Sequence, residues 1–202
     1  MRDHLNMGAA PPRFFFGAMS PYSWFAAERI GRLLPEARWS GVLAGAVFKA
    51  HGRVSWGLTE RRDAGLADCE ERARSHRLGP IRWPDPWPTS DLLVARAMAH
   101  AEAEGGLPGF ALAAMRLAFL EGADLGEREA VLEAGRRAGI QARRLDRALD
   151  AEEIKQRLRS RTDEALALGV FGVPTVAVEG RLYWGDDQLE RAAAAARQPP
   201  AS

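Results

Sequence analysis

At 202 residues the chain fits one large domain or one domain carrying an insertion, and with 47% hydrophobic and 27% charged residues it can bury a real core. Lys and Arg number 28 against 27 Asp and Glu, a net charge of +1 with no long basic block, which argues against nucleic acid or an acidic membrane as partner. Cys69 is the only cysteine, so an intramolecular disulfide and a cysteine-rich metal site are both excluded.

Met1 to Pro12 holds no apolar signal core, and Phe14-Phe15-Phe16 is too short for one or for a membrane span, which makes the cytoplasm the expected compartment. Arg13 to Gly17 suits a short buried strand. Ser20-Pro21 marks a helix start: the serine can accept from the first turn, and proline is comfortable at the first helical position. Phe25, Ile30, Leu33 and Leu34 carry that helix to Pro35. Ala37 to Phe48 alternates loosely, with Val42, Leu43 and Val47, and predicts a second strand reached by a right-handed parallel crossover.

Arg61 to Arg77 is charged and helical, and Cys69 falls within it as a structural thiol rather than a nucleophile. Leu78-Gly79-Pro80 stops that helix, and the prolines between Trp83 and Pro88 exclude helix or inner strand. From Ser90 the pattern is helical again, divided at Gly105-Gly106, Gly122, Gly126, Gly139 and Asp150. After Gly169, Val176 to Val178 and Leu182 to Trp184 predict a hairpin turned at Glu179-Gly180, and Asp186 or Asp187 can cap a last helix from Leu189 to Ala196.

Two short motifs carry chemistry. Ser20-Pro21-Tyr22-Ser23 lies between the first strand and the first helix, where free backbone N–H groups and the positive end of the helix dipole stabilise an anion such as a thiolate. A serine hydroxyl stays neutral near pH 7 and can donate to a neighbouring thiolate, so this turn is suited to hold a borrowed thiol; the plainer reading of Ser20 is a helix cap. Gly172-Val173-Pro174-Thr175 precedes the third strand, where Pro174 suits a cis bond and the Val173 backbone can pair with an extended ligand.

The stretch from Phe15 to Ala26 resembles the N-terminal signature of the DsbA-like group that holds the kappa-class glutathione transferases and the 2-hydroxychromene-2-carboxylate isomerases. Gly169 to Thr175, followed by Tyr183 to Leu189, resembles that group's C-terminal signature, about 150 residues on. The similarity in layout covers residues 13 to 197. It implies an α/β thioredoxin-like fold with an all-helical insertion (the DsbA-like, kappa-class topology): residues 13–62 and 167–199 form the thioredoxin-like domain, and 63–166 the insertion. The implied cofactor is glutathione. Ser20 is implied to hydrogen-bond its sulfur, the Val173 backbone to pair with its cysteinyl part, and Trp184, Gly185, Asp186 and Asp187 to receive its γ-glutamyl end.

Trp87 falls where the group's proline-containing loop lines the substrate pocket, and Lys49 where some relatives place a lysine near a substrate carboxylate. Trp56, Trp83 and Trp87 can wall a planar substrate or cover a junction between subdomains. The chain departs from the group at Gly17, Gln188 and Pro84 to Ser90, where an acidic residue, an arginine and an asparagine are common. The resemblance implies a cis-trans isomerase acting on a small conjugated aromatic compound, and a homodimer. The alternatives are a glutathione transferase or peroxidase, a disulfide oxidoreductase, and a non-enzymatic binding module. Ser20 and Ser23 stand at both positions of the Cys-x-x-Cys pair, so direct dithiol exchange there is unavailable.

Overall fold

The computed structural model describes residues 10–198; the N-terminal lead through residue 9 and the expected domain end at 199 lie outside them. Four short strands build a mixed sheet in the order β2-β1-β3-β4. They are β1 (Arg13–Phe16), β2 (Arg38–Gly41), β3 (Thr175–Val178) and β4 (Arg181–Trp184). β1 runs parallel to β2 and antiparallel to β3, with Phe14 opposite Trp39 on one side and Val176 on the other.

The aromatic run of β1 works because alternate residues face opposite sides of a sheet. Phe14 and Phe16 enter the main core with Trp24 and Phe25 of α1 (Pro21–Leu33), while Phe15 joins a smaller cluster behind the sheet with Val47, Val170 and Val173. Phe14 and Phe16 stack at 5.0 Å, each edge-on to Trp39.

The second strand is shorter than the sequence implies. β2 ends at Gly41, and α2 (Ala44–Ala50) replaces the expected continuation to Phe48. Two causes are visible. A Cβ on Gly41 would lie 2.9 Å from that of Met98, so the chain passes close under the helical block at this point. The following segment, Ala44-Gly45-Ala46-Val47-Phe48-Lys49-Ala50, is rich in alanine, the residue most favourable to helix.

Six helices lie between β2 and β3 after α2: α3 (Arg62–Ser75), α4 (Leu92–Ala103), α5 (Leu107–Glu121), α6 (Arg128–Arg137), α7 (Ala142–Asp150) and α8 (Glu152–Ala167). Their ends fall at the expected glycines, and α5 closes on Gly122 at φ 79°, the left-handed cap that glycine adopts freely. Phe110, Met115 and Phe119 of α5 are fully buried in the same continuous core as Phe14 and Trp24, so sheet and helical block share one interior. Glu179 and Gly180 turn the β3–β4 hairpin with φ of 48° and 78°, the paired positive values of a tight hairpin turn. α9 (Leu189–Ala196) then packs on α1 and β3.

Among the described residues no helix is long and apolar enough to cross a membrane.

Candidate active site

The turn from β1 into α1 is built by two serines with different tasks. Ser20 is the N-cap: its Oγ accepts the Ser23 N–H at 3.2 Å, and Pro21 follows at the first helical position. Ser23 is fully buried and its Oγ accepts the Gly17 N–H at 3.4 Å, closing the turn on itself. A hydroxyl that accepts still has a proton to give. The Ser20 proton is therefore available to an anion beside the first turn of a 13-residue helix.

The Val173-Pro174 bond is cis. Val173 is buried, and its main chain makes no backbone hydrogen bond within the described residues, although Thr175 beyond it is paired in the sheet. The Gly185 N–H donates to the Pro174 carbonyl at 2.9 Å, which ties this loop to the end of β4.

Ser20 and Val173 share the wall of one cavity of about 400 Å³, within the usual range for a small-molecule site. Lys49, Trp87 and Trp184 also line it, so five of the eight residues singled out from the sequence meet there. The aromatic side is made by Trp56 and Trp87, whose ring centroids lie 4.9 Å apart, with Tyr22 at 6.2 Å from Trp56. Trp83 stands behind them, 4.8 Å from Trp87 and 6.0 Å from Phe119, so the tryptophans both wall the cavity and seal it to the helical block.

Gly185, Asp186 and Asp187 lie outside the cavity lining. Neither aspartate caps a helix with its side chain, a difference from the sequence expectation. Asp187 is exposed and accepts from the Gln188 amide. Asp186 is buried, with Arg72 at 2.8 Å from Oδ1, His76 at 3.4 Å from Oδ2 and Arg29 at 3.9 Å. Burial pushes its carboxyl above the ordinary value, and Arg72 and His76 oppose that shift. Burial works against the Arg72 charge too, but Asp186 and Asp68 together raise its pKa.

This charge cluster reaches the cavity through Tyr22. Its hydroxyl donates to Asp68 at 2.9 Å, and the Arg72 guanidinium lies 5.2 Å from its ring centre. Burial, aided by Cys69 and Asp68, lifts the phenol well above its usual range, so it stays protonated. Cys69 is fully buried beneath it, and burial pushes that thiol up to about 12, as suits a structural cysteine.

Three contributors to the site escape a reading of the sequence. Asp91 looks like a cap for α4, yet its carboxylate crosses to α2 and accepts the Gly45 N–H at 3.2 Å. Arg53 donates to the Phe171 carbonyl at 3.1 Å and lies 5.3 Å from the centre of the Trp184 ring, bridging the cavity mouth. Arg72, His76 and Arg29 converge on Asp186 from two helices, and no local spacing signals that meeting.

A model of the DSBA-like thioredoxin domain matches residues 13–196. The chain belongs to that family. Among solved structures, a 2-hydroxychromene-2-carboxylate isomerase aligns with TM-score 0.79 at 20% identity, covering 92% of this chain and 94% of the other. A probable DsbA oxidoreductase from Streptomyces coelicolor aligns with TM-score 0.72 at 16% identity over 95% and 92% of the two chains. The cytosolic disulfide reductase DsbM from Pseudomonas aeruginosa, solved with GSH, aligns with TM-score 0.62 at 17% identity over 92% and 96%. At these identities the likeness establishes the thioredoxin-like DsbA fold. No curated protein matches the chain in sequence.

Proposed function

We propose that this chain is a glutathione-dependent isomerase, holding the tripeptide thiol at Ser20 and a conjugated aromatic substrate against Trp56 and Trp87. The observation that carries the reading is the shared cavity wall. A hydroxyl with a free proton at the start of α1 stands with the unpaired main chain of Val173, and neither Cys-x-x-Cys position holds a thiol. The presence of GSH in the DsbM structure supports the same ligand here.

Each residue present fits a part of that task. The first turn of α1 and the Ser20 O–H lower the free energy of a thiolate, as a helix N-terminus does for any anion. The Val173 backbone can pair with an extended peptide much as a sheet edge does. The Gly185 main chain is paired with Pro174 and Gln188 and the Asp186 carboxylate is bound by its cluster, so the exposed Asp187 carboxylate, which accepts from the Gln188 amide, is the group left to meet the γ-glutamyl end. Lys49 makes no ion pair among the described residues and offers its charge to an anionic substrate group. When bound, glutathione supplies a thiolate that adds reversibly to a conjugated carbon, so that the double bond can rotate before the thiol leaves.

Calorimetry with glutathione, read together with thiolate absorbance, tests the reading. Native protein should bind and depress the thiol pKa, and Ser20→Ala should lose the depression while keeping its fold. Absence of binding at millimolar glutathione would remove the proposal. Isomerisation is then scored by nuclear magnetic resonance on cis-configured conjugated aryl ketones and pyruvates, with glutathione recovered unchanged.

A further inference from the structure

Exposed apolar side chains gather at one place on this molecule. Among the described residues, the large hydrophobic side chains left in solvent are Val54, Leu58, Leu92, Leu168 and Trp184. Three of them, Val54, Leu58 and Trp184, line the cavity. Apolar residues scattered singly are ordinary on any surface, whereas a cluster continuous with a pocket marks a place where something apolar docks.

The cluster is held in position by its neighbours. Val54 and Leu58 flank Trp56, which opens a single 3-10 turn (Trp56–Leu58). The Trp56 ring lies over Gly65 of α3, where no side chain would fit, and a Cβ on Gly57 would lie 2.6 Å from the Trp87 ring. Ser55 Oγ accepts the Gly57 N–H at 3.3 Å, and the Thr59 hydroxyl donates to the Trp56 carbonyl at 2.9 Å. With Trp56 packed inward and the turn closed by these bonds, Val54 and Leu58 are presented outward, 64% and 68% exposed. Trp184 comes to the same mouth from β4: Arg53, next to Val54, lies 5.3 Å from the centre of its ring. Covering such side chains recovers free energy in proportion to the area removed from water.

We infer that the rim formed by Val54, Leu58 and Trp184 receives an apolar substituent of the cavity's own ligand. The substrate is then an aromatic compound bearing a hydrophobic chain of several carbons, with its ring inside against Trp56 and Trp87 and its chain leaving through the mouth. Three observations choose this occupant. Rim and interior are walls of one continuous cavity, so a single molecule can touch both. The volume of about 400 Å³ falls in the range that holds drug-sized ligands, which leaves space beside a single aromatic ring. Three side chains fall well short of the roughly 800 Å² per partner that a stable protein interface buries. The inference rests on the proposed reading of the cavity as a substrate chamber and not on glutathione.

The test omits the thiol and uses 4-phenyl-3-buten-2-one carrying hydrogen, ethyl or n-butyl at the para carbon, titrated by calorimetry. Native protein should bind one equivalent of each, with affinity rising about two- to fourfold per methylene, the range between half and full burial of that group. In the double variant Val54→Ser, Leu58→Ser the unsubstituted ketone should bind as it does to native protein, while the gain per methylene falls below about 1.5-fold. Leu168→Ser, which alters an exposed leucine outside the cavity lining, should keep the native gain. On native protein, nuclear Overhauser contacts should join the terminal methyl of the butyl chain to the methyls of Val54 and Leu58. Those contacts decide the case if the double variant fails to fold.

Equal gains in native protein and the double variant, no gain with chain length, methyl contacts to other residues only, or no binding of the unsubstituted ketone would each overturn the inference. Glutathione binding without ketone binding would leave the thiol reading in place and remove this one. The reverse pattern would remove the thiol reading alone.

Discussion

Replacing Asp186 by asparagine removes a charge while nearly conserving shape, and its effect can be worked from the contacts. The carboxylate is 2% exposed and lies 2.8 Å from Arg72. Two unit charges at that distance attract by about 6 kcal/mol at an effective dielectric of 20, before the cost of removing them from water. Breaking a buried pair by deleting one partner typically costs about 3–5 kcal/mol, because the other charge is left without compensation. Here Arg72 is 33% exposed and His76 23%, so both can recover water, which brings the expectation to about 2–3 kcal/mol. Urea unfolding at neutral pH should show that loss with an unchanged m value, and the melting temperature should fall by roughly 5–10 °C for a chain of this size. Asp187→Asn, one residue along and exposed, should change stability by less than about 0.5 kcal/mol. A loss below about 1 kcal/mol for Asp186→Asn would mean that the cluster contributes little and that α1, α3 and the turn before α9 are joined by apolar packing alone.

Gly172→Ala should disturb the cavity mouth selectively, since its Cβ would lie 2.5 Å from the Trp184 Nε1; the indole should leave Phe171 and Arg53, visible as a shifted emission spectrum and a destabilisation of about 1–3 kcal/mol. Phe110→Ala removes a fully buried ring from α5 and should cost about 3–5 kcal/mol in the same urea assay. Arg13 holds the Glu164 carboxyl below its ordinary value, so the stability this pair gives is present above the usual carboxylate pKa and lost as pH falls through the depressed one. Because Glu164 is 40% exposed, the gap between native protein and Glu164→Gln should be under about 1 kcal/mol at pH 7 and should close toward pH 3. Cys69, with its pKa near 12, should resist alkylation in native protein at pH 8 and react at the rate of unfolding in urea, which mass spectrometry reads directly.

Much of this molecule is written in local pattern. Glycine and proline mark the helix ends, and Glu179-Gly180 marks the hairpin, because turn geometry is imposed by residues within a few positions of the turn. The Ser20 cap is legible for the same reason: its partner is Ser23, three residues on. What depends on distant partners is not legible. β2 stops at Gly41 because Met98 occupies the space above it, 57 positions later in the chain, and Asp91 leaves its own helix start to reach Gly45. Asp186 has the composition of a cap, yet Arg72 and His76 of the preceding helical block take its charge. The likeness of two signatures supplied the order of elements, which periodicity alone leaves open between several α/β arrangements.

The single cysteine is sealed under Tyr22 with its thiol fully buried; of the two positions of the Cys-x-x-Cys pair, the cavity presents Ser20, while Ser23 is buried behind it. Peroxide and other soft electrophiles thus meet no protein thiol at this opening. Oxidative stress can change the small molecules that visit the cavity without leaving a sulfenic acid or mixed disulfide on the polypeptide itself. Under the proposed function, loss of reduced thiols would withhold the nucleophile from the cavity while leaving the buried Cys69 unoxidised.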